Sequence, residues 1–409
     1  MSEHRNTVII VGGGAAGFFT AISIAEKRKD LKVIILEKSL HTLSKVKVSG
    51  GGRCNVTNDR SKPSELVPYY PRGNKKLYNV FKKFGTQDMR DWLAMRKVPT
   101  IAEEDRRVFP VSNSSQTIID CFYREVRRLN IDVNVGEGVK QLKRVEDHWE
   151  VLTIKKTYLT SCIVIATGAS PSTWQMLGSV GLKLIDPVPS LFTFKIKDER
   201  ISGLPGVSFE HASVKIVGTK LTEVGPMLIT HWGLSGPAVL KLSSLGALEL
   251  YEKKYQFEIL VNYLHGWTEA DLRSQFQSYI EQHPSRLIGK YPLWGLPKRF
   301  WEQLLRYCHV EESWRFKQLN KKQKNKLIEE LLQGRYNVTG KSSFKEEFVT
   351  AGGVDTGEID FNDFSAKRFP GMYLAGEVLN IDALTGGFNF QACWSAGWLI
   401  SDGISKSYG

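Results

Sequence analysis

The residues best placed to do chemistry come at the start of the chain. Gly12, Gly14 and Gly17 close the apolar run TVIIV and open an apolar helical pattern, FFTAISIAEKRK. Each glycine has its own task at such a junction. The first permits a tight turn, the second lets a pyrophosphate approach the backbone, and the third lets helix and strand pack closely. Exposed amides and the positive end of the helix dipole then suit phosphate groups. Glu37 ends the next strand pattern, LKVIILE, 20 residues after Gly17. A carboxylate there accepts hydrogen bonds from a ribose diol and disfavours a 2′-phosphate, so a dinucleotide other than NADP is expected.

Later segments point to FAD. Ala166-Thr167-Gly168 ends another strand pattern, where backbone can approach a cofactor. Near the C-terminus MYLAGE, with Gly376 and Glu377, is followed by TGGFNFQACWSAGW, which repeats the strand-to-helix logic. Gly386, Gly387 and the start of the last helix are expected to face the flavin pyrimidine, which becomes anionic on reduction. Asn389 and Gln391 are expected to orient flavin or substrate through their amides. In Ser49–Asn55, Gly50, Gly51 and Gly52 would bring backbone against a ring or phosphate, and Arg53 adds a charged fork. Cys54 is open to two readings, a lone nucleophile or flavin contact, and a small packed thiol. Asp59 occupies the position that a second cysteine would need for CxxxxC dithiol chemistry, which excludes it. His231, in ITHWGLSGPA, is the acid/base candidate, with a structural histidine as the alternative.

The elements that must position these groups begin as strand, turn, helix, strand, a βαβ unit that implies a parallel sheet. One helix is expected over about 75–95, another through Leu129 with Ser115 as its cap, and a hairpin joined at Glu146-Asp147. The fold class expected is α/β: a Rossmann-like FAD-binding domain split in sequence (1–188 and 346–409), with a β-rich insertion (189–266) and a helical insertion (267–345).

Composition narrows the rest. The chain has 409 residues, 42% hydrophobic and 24% charged, as expected of a soluble globular protein. No run approaches a membrane span, and the first residues lack a signal peptide's apolar stretch, so a cytoplasmic protein is expected. The five cysteines are dispersed, which argues against a disulfide framework and a structural metal. The net charge of +13 suits phosphate-bearing partners. Lys317, Lys321, Lys322, Lys324 and Lys326 read as a solvated basic face, since Glu329 and Glu330 follow closely; RNA or DNA binding is the alternative.

Five segments together, VIIVGGGAAG, KVSGGGRCNVTN, ITHWGLSGPA, VTAGGV and YLAGEVLNIDALTGGFNFQ, resemble the BaiN/aminoacetone-oxidase family of flavoproteins over essentially the whole chain. The resemblance implies noncovalent FAD and a Rossmann-like domain interrupted by β-barrel-like and helical domains. It also implies contacts from Gly12, Gly14, Ala15, Ala16, Gly17, Glu37, Lys38, Arg53, Thr167, Gly168, Gly376, Glu377 and the 386–391 segment, Phe388 included. Gly51, Gly52, Cys54, Asn55 and Ala166 flank those positions and are counted with the candidate site. An oxidoreductase acting on a small organic substrate is expected, either an NAD(P)H-linked reductase or an O₂-using oxidase. No second GxGxxG is visible, so NAD(P)H is expected only as a transient visitor. The rival reading is an RNA-binding flavoprotein resembling tRNA-modifying enzymes.

Overall fold

The computed structural model describes residues 6–342 and 349–407. The chain divides into two compact units, Met1–Pro187 with Thr350–Gly409, and Val188–Val349.

The first unit is built on a sheet whose central strand, Thr7–Val11, lies parallel between Cys162–Ile165 and Lys32–Leu36. These runs are rich in β-branched residues and almost wholly buried, as a sheet covered on both faces requires. Asp132–Asn134 extends the sheet on one side and Met372–Leu374 on the other, both parallel. Register decides where the sequence motifs fall. Val11 pairs with both Ile165 and Leu36, and Ile165 pairs with Leu374. The residues that follow these strand ends, Gly12, Ala166, Glu37 and Ala375, therefore share one carboxyl edge, where ligands bind in open α/β sheets. The first helix, Ala15–Lys27, packs on the last, Phe388–Ser407. Phe19 meets Trp394 at 5.4 Å between ring centres, and a side chain at Gly397 would meet Thr20 at 2.7 Å.

Two local expectations change. The helix expected over 75–95 is two, Asn74–Lys83 and Thr86–Met95, because Gly85 turns extended and its amide is capped by Asp88 (2.6 Å). The helix Ser115–Arg128 is capped by Ser114, whose hydroxyl accepts from the Gln116 amide. Ser115 instead donates to the Lys47 carbonyl (2.8 Å).

The second unit contains a seven-stranded antiparallel sheet in which Gly334–Val338 lies at one edge and Gly340–Ser342 at the other. Only Thr339 separates these two strands, so one nearly continuous segment serves both edges and closes the sheet into a barrel. Helices Glu269–Gln282, Lys298–Tyr307 and Lys321–Gln333 pack on it. Phe209 of the barrel meets Phe300 of a helix at 4.9 Å, and a single apolar cluster spans both kinds of structure. The composition change near residue 267 therefore marks a change of secondary structure within one core.

Candidate cofactor site

The amino-terminal turn is fixed by close packing. Gly12 has φ +113°, and a side chain on it would sit 2.5 Å from the Ala166 carbonyl oxygen. A side chain on Gly17 would sit 2.0 Å from the Gly12 carbonyl oxygen. Gly14 differs, because a Cβ there would meet no protein atom within 4 Å. The helix after it has no side-chain cap and no acidic residue in its first turn. Its amino end, with Ala15, Ala16 and Gly17, thus offers backbone donors without a competing carboxylate, which suits a phosphate. The edge beside it suits a dinucleotide. Glu37 is held by two backbone amides, accepting from Gly13 (2.7 Å) and Ser39 (2.8 Å). Lys38 beside it is exposed.

Ala166-Thr167-Gly168 and Gly376-Glu377 meet at the same edge. The Ala166 amide donates to Val11 and the Ala375 amide to Ile165. A side chain on Gly376 would meet Ala16 at 3.4 Å, and one on Gly168 would meet the Glu377 carboxylate at 3.5 Å and the Lys45 ammonium at 3.9 Å. Glu377 is ion-paired with Lys45. The sequence reading passed over Lys45 and Gly13; the available signal was a lysine one helical turn before the Ser49 glycine loop.

That loop has φ values of +57°, +69° and +84° at Gly50, Gly51 and Gly52, and side chains on the last two would meet nothing within 4 Å. Arg53 lies over the Phe109 ring (3.7 Å) and donates to Glu103 (2.7 Å), so its guanidinium already has protein partners. With its side-chain amide oriented to satisfy both neighbours, Asn55 accepts from the Gly387 amide (2.9 Å) and donates to the Thr57 carbonyl (2.9 Å), which ties the loop to the 386–391 segment. Asn58 donates to the Gly386 carbonyl (3.1 Å), and Phe388 stacks on Tyr69 at 4.3 Å.

Three of the expected site residues are held by the protein itself. Asn389 exchanges two hydrogen bonds with Ala383 (2.9 and 3.1 Å). Gln391 is fully buried, accepting from Thr57 (2.6 Å) and donating to Ser395 (3.0 Å). Both amides bond to protein groups, which fixes the shape of the loop around them. Cys54 is fully buried with φ +61°. Burial pushes its thiol up to about 12, against a smaller opposing hydrogen bond from Ser49. Its burial and raised thiol favour the packed-thiol reading over the nucleophile. His231 is on the second unit, exposed beside half-exposed Trp232 in the turn between strands Thr222–Ile229 and Gly233–Ser235.

A parallel sheet that gathers glycine turns at its carboxyl edge is a dinucleotide-binding framework, and with the similarities below it places the chain among FAD-dependent oxidoreductases. Residues 6–403 match the HI0933-like protein Rossmann domain, and the chain belongs to that family. It is 26% identical over 404 residues to the 3-dehydro-bile acid delta(4,6)-reductase of Clostridium scindens, covering 96% of this chain and 98% of the relative. It is 28% identical over 412 residues to the ribosomal RNA dihydrouridine synthase of Escherichia coli, covering 98% of each. In fold it is similar to a 3-ketosteroid delta1-dehydrogenase from Sterolibacterium denitrificans, with TM-score 0.51 and 11% identity over 98% of this chain and 100% of that one. Among the described residues no helix is long and apolar enough to cross a membrane.

Proposed function

We propose that the chain is a cytoplasmic, NAD(P)H-driven reductase of a carbon–carbon double bond conjugated to a carbonyl, on a small organic substrate. One observation carries the reading. Two relatives with unlike substrates, a 3-dehydro-bile acid delta(4,6)-reductase and a dihydrouridine synthase, match nearly the whole chain, and their names share this reaction. A carbonyl conjugated to the double bond polarises it, so one carbon accepts hydride and its neighbour accepts a proton. The balance is NAD(P)H plus a proton and the alkene giving NAD(P)⁺ and the saturated product.

The groups at the sheet edge then take these roles. The amides of Gly14, Ala15, Ala16 and Gly17 hold the diphosphate, and Glu37 takes the ribose. Thr167, Gly168, Gly376 and Glu377 border the ribityl chain. Backbone at Gly51, Gly52, Gly386 and Gly387 faces the ring, held in shape by Asn55, Asn389 and Gln391. Bound FAD supplies hydride transfer between nicotinamide and substrate. His231, which is exposed, is the proton donor we assign.

A second reading has the same chemistry acting on uracil within RNA. It is favoured by the excess of basic residues in 268–345, fifteen Lys/Arg against eight Asp/Glu, alongside the similarity to the ribosomal RNA enzyme.

Anaerobic mixing of the FAD-loaded protein with NADH or NADPH tests the reaction. The flavin absorbance should bleach with one or both and return when a steroid-like enone is added. Absence of bleaching with either would sink the reductase. Glu37→Ala should weaken FAD about tenfold or more, since it removes a charged hydrogen-bond acceptor; undiminished affinity would overturn the ribose assignment.

A further inference from the structure

The second unit carries a cavity of about 450 Å³, lined by residues 282–287 with Lys290 and Tyr291. Its chemistry is unusual for an idle surface. Tyr291 is 43% exposed, with the Arg286 guanidinium 4.8 Å from its ring centre. Arg286 also donates to the Tyr279 hydroxyl (3.2 Å), and Tyr279 meets His283 edge-on at 4.8 Å. The segment beyond the cavity adds two more cations. Arg315 donates to the Ser285 carbonyl (3.1 Å), and the Lys317 amide donates to the Pro284 carbonyl (3.1 Å). His283, Arg286, Lys290, Arg315 and Lys317 thus belong to one small surface. Of the carboxylates nearest in sequence, Glu312 is ion-paired with Arg306 (2.7 Å) and Glu281 accepts from Gln277 (2.8 Å), so Arg286, Lys290, Arg315 and Lys317 outnumber Glu281 and Glu311.

We propose that this surface docks single-stranded RNA, with a base stacked on Tyr291 and backbone phosphates on Arg286, Lys290, Arg315 and Lys317. Every base has a flat face that an exposed aromatic ring can stack, and flanking guanidinium and ammonium groups neutralise phosphates. An acidic peptide would satisfy the cations and leave the exposed part of the Tyr291 ring unstacked. The volume also falls in the range of pockets that take one nucleotide-sized group. The inference rests on the second reading above, in which the reducible double bond is carried by RNA.

The test is a salt series of binding to a labelled twelve-nucleotide oligouridine and to protein-free ribosomal RNA. It compares wild type, Tyr291→Ala, Tyr291→Phe, Arg286→Ala/Lys290→Ala, and a control with equal charge removed elsewhere, Lys321→Ala/Lys322→Ala. Wild type should bind with a steep loss at rising salt. Tyr291→Ala should weaken binding about tenfold, whereas Tyr291→Phe, which keeps the stacking face, should match wild type. Arg286→Ala/Lys290→Ala should flatten the logarithmic salt slope by about 1.4, two phosphates' worth for a single strand. All the variants should keep the wild-type melting temperature and flavin reduction by NAD(P)H. If wild type binds and the cavity variants lose no more than the control, the docking site is wrong while the RNA reading stands. If wild type binds neither probe, both fall together.

Discussion

Two glycine-rich turns in the first unit look alike in sequence and differ in what surrounds them. At Gly12 and Gly17 the protein itself forbids a side chain, with backbone oxygens at 2.5 and 2.0 Å from where a Cβ would stand. At Gly51 and Gly52 a Cβ would meet nothing within 4 Å, although both residues have positive φ. The first pair of glycines closes a strand against a helix, so the fold needs them whether or not a cofactor binds. The second pair holds backbone bare beside open space, which is how a chain leaves room for a ring or phosphate that it does not itself supply. Glycine content therefore reports two separate things here, internal packing and reserved volume.

The largest expected effect tests the first half of that contrast. Gly17→Ala forces a methyl into a backbone oxygen, and neither strand nor helix can yield without disturbing the sheet edge. The cost should be about 3 kcal/mol or more, lowering the melting temperature of the unit by roughly 6–12 °C even without cofactor. Thermal unfolding of the FAD-free protein measures it. An unchanged melting temperature would mean that the turn is not held by packing.

How far the sequence disclosed this arrangement depends on the range of the forces involved. Strand Thr7–Val11, its turn and the helix Ala15–Lys27 were legible because β-branched runs, glycines at a junction and apolar helical spacing are local signals. The hairpin at Glu146-Asp147 was legible for the same reason. What the sequence could not disclose was register and partnership. Val11 pairing with Ile165 and Leu36 brings Gly12, Ala166 and Glu37 to one edge, and nothing in the three segments states that pairing. Asn389 and Gln391 carried the right chemistry for a flavin contact, and only their neighbours reveal that Ala383, Thr57 and Ser395 already occupy them. Lys45 was missed because an exposed lysine on a helix carries no local mark of the carboxylate it pairs with.

A smaller effect tests the second half of the contrast. Gly51→Ala has room for its methyl, so its structural cost should be only the left-handed backbone strain, about 1 kcal/mol. The FAD-free protein should melt within roughly 2–4 °C of wild type. FAD affinity should nevertheless fall about tenfold or more, because the methyl enters the volume the loop keeps clear. Equilibrium titration of flavin fluorescence separates the two quantities. Affinity within twofold of wild type would show that the open face of this loop serves something other than the cofactor.

The smallest expected effect concerns the residue that follows those glycines. Cys54 lies only two positions beyond Gly52, yet it faces inward, fully buried, with its thiol raised to about 12. Because burial raises the value, the thiolate appears only at strongly alkaline pH and its population falls as pH falls toward neutrality. At pH 8 the thiolate fraction should be about 10⁻⁴, against about a quarter for an ordinary thiol, so alkylation should be slowed by roughly 2,000-fold. Iodoacetamide at pH 8, read by peptide mass spectrometry, should leave Cys54 unmodified in the native protein and label it after unfolding. Cys54→Ala should cost about 1 kcal/mol in stability and leave the rate of flavin reduction by NAD(P)H within twofold of wild type. Rapid native labelling, or a reduction rate that collapses in the alanine variant, would place the thiol on the cofactor side of the loop. The inward and outward faces of this turn would then have to be exchanged.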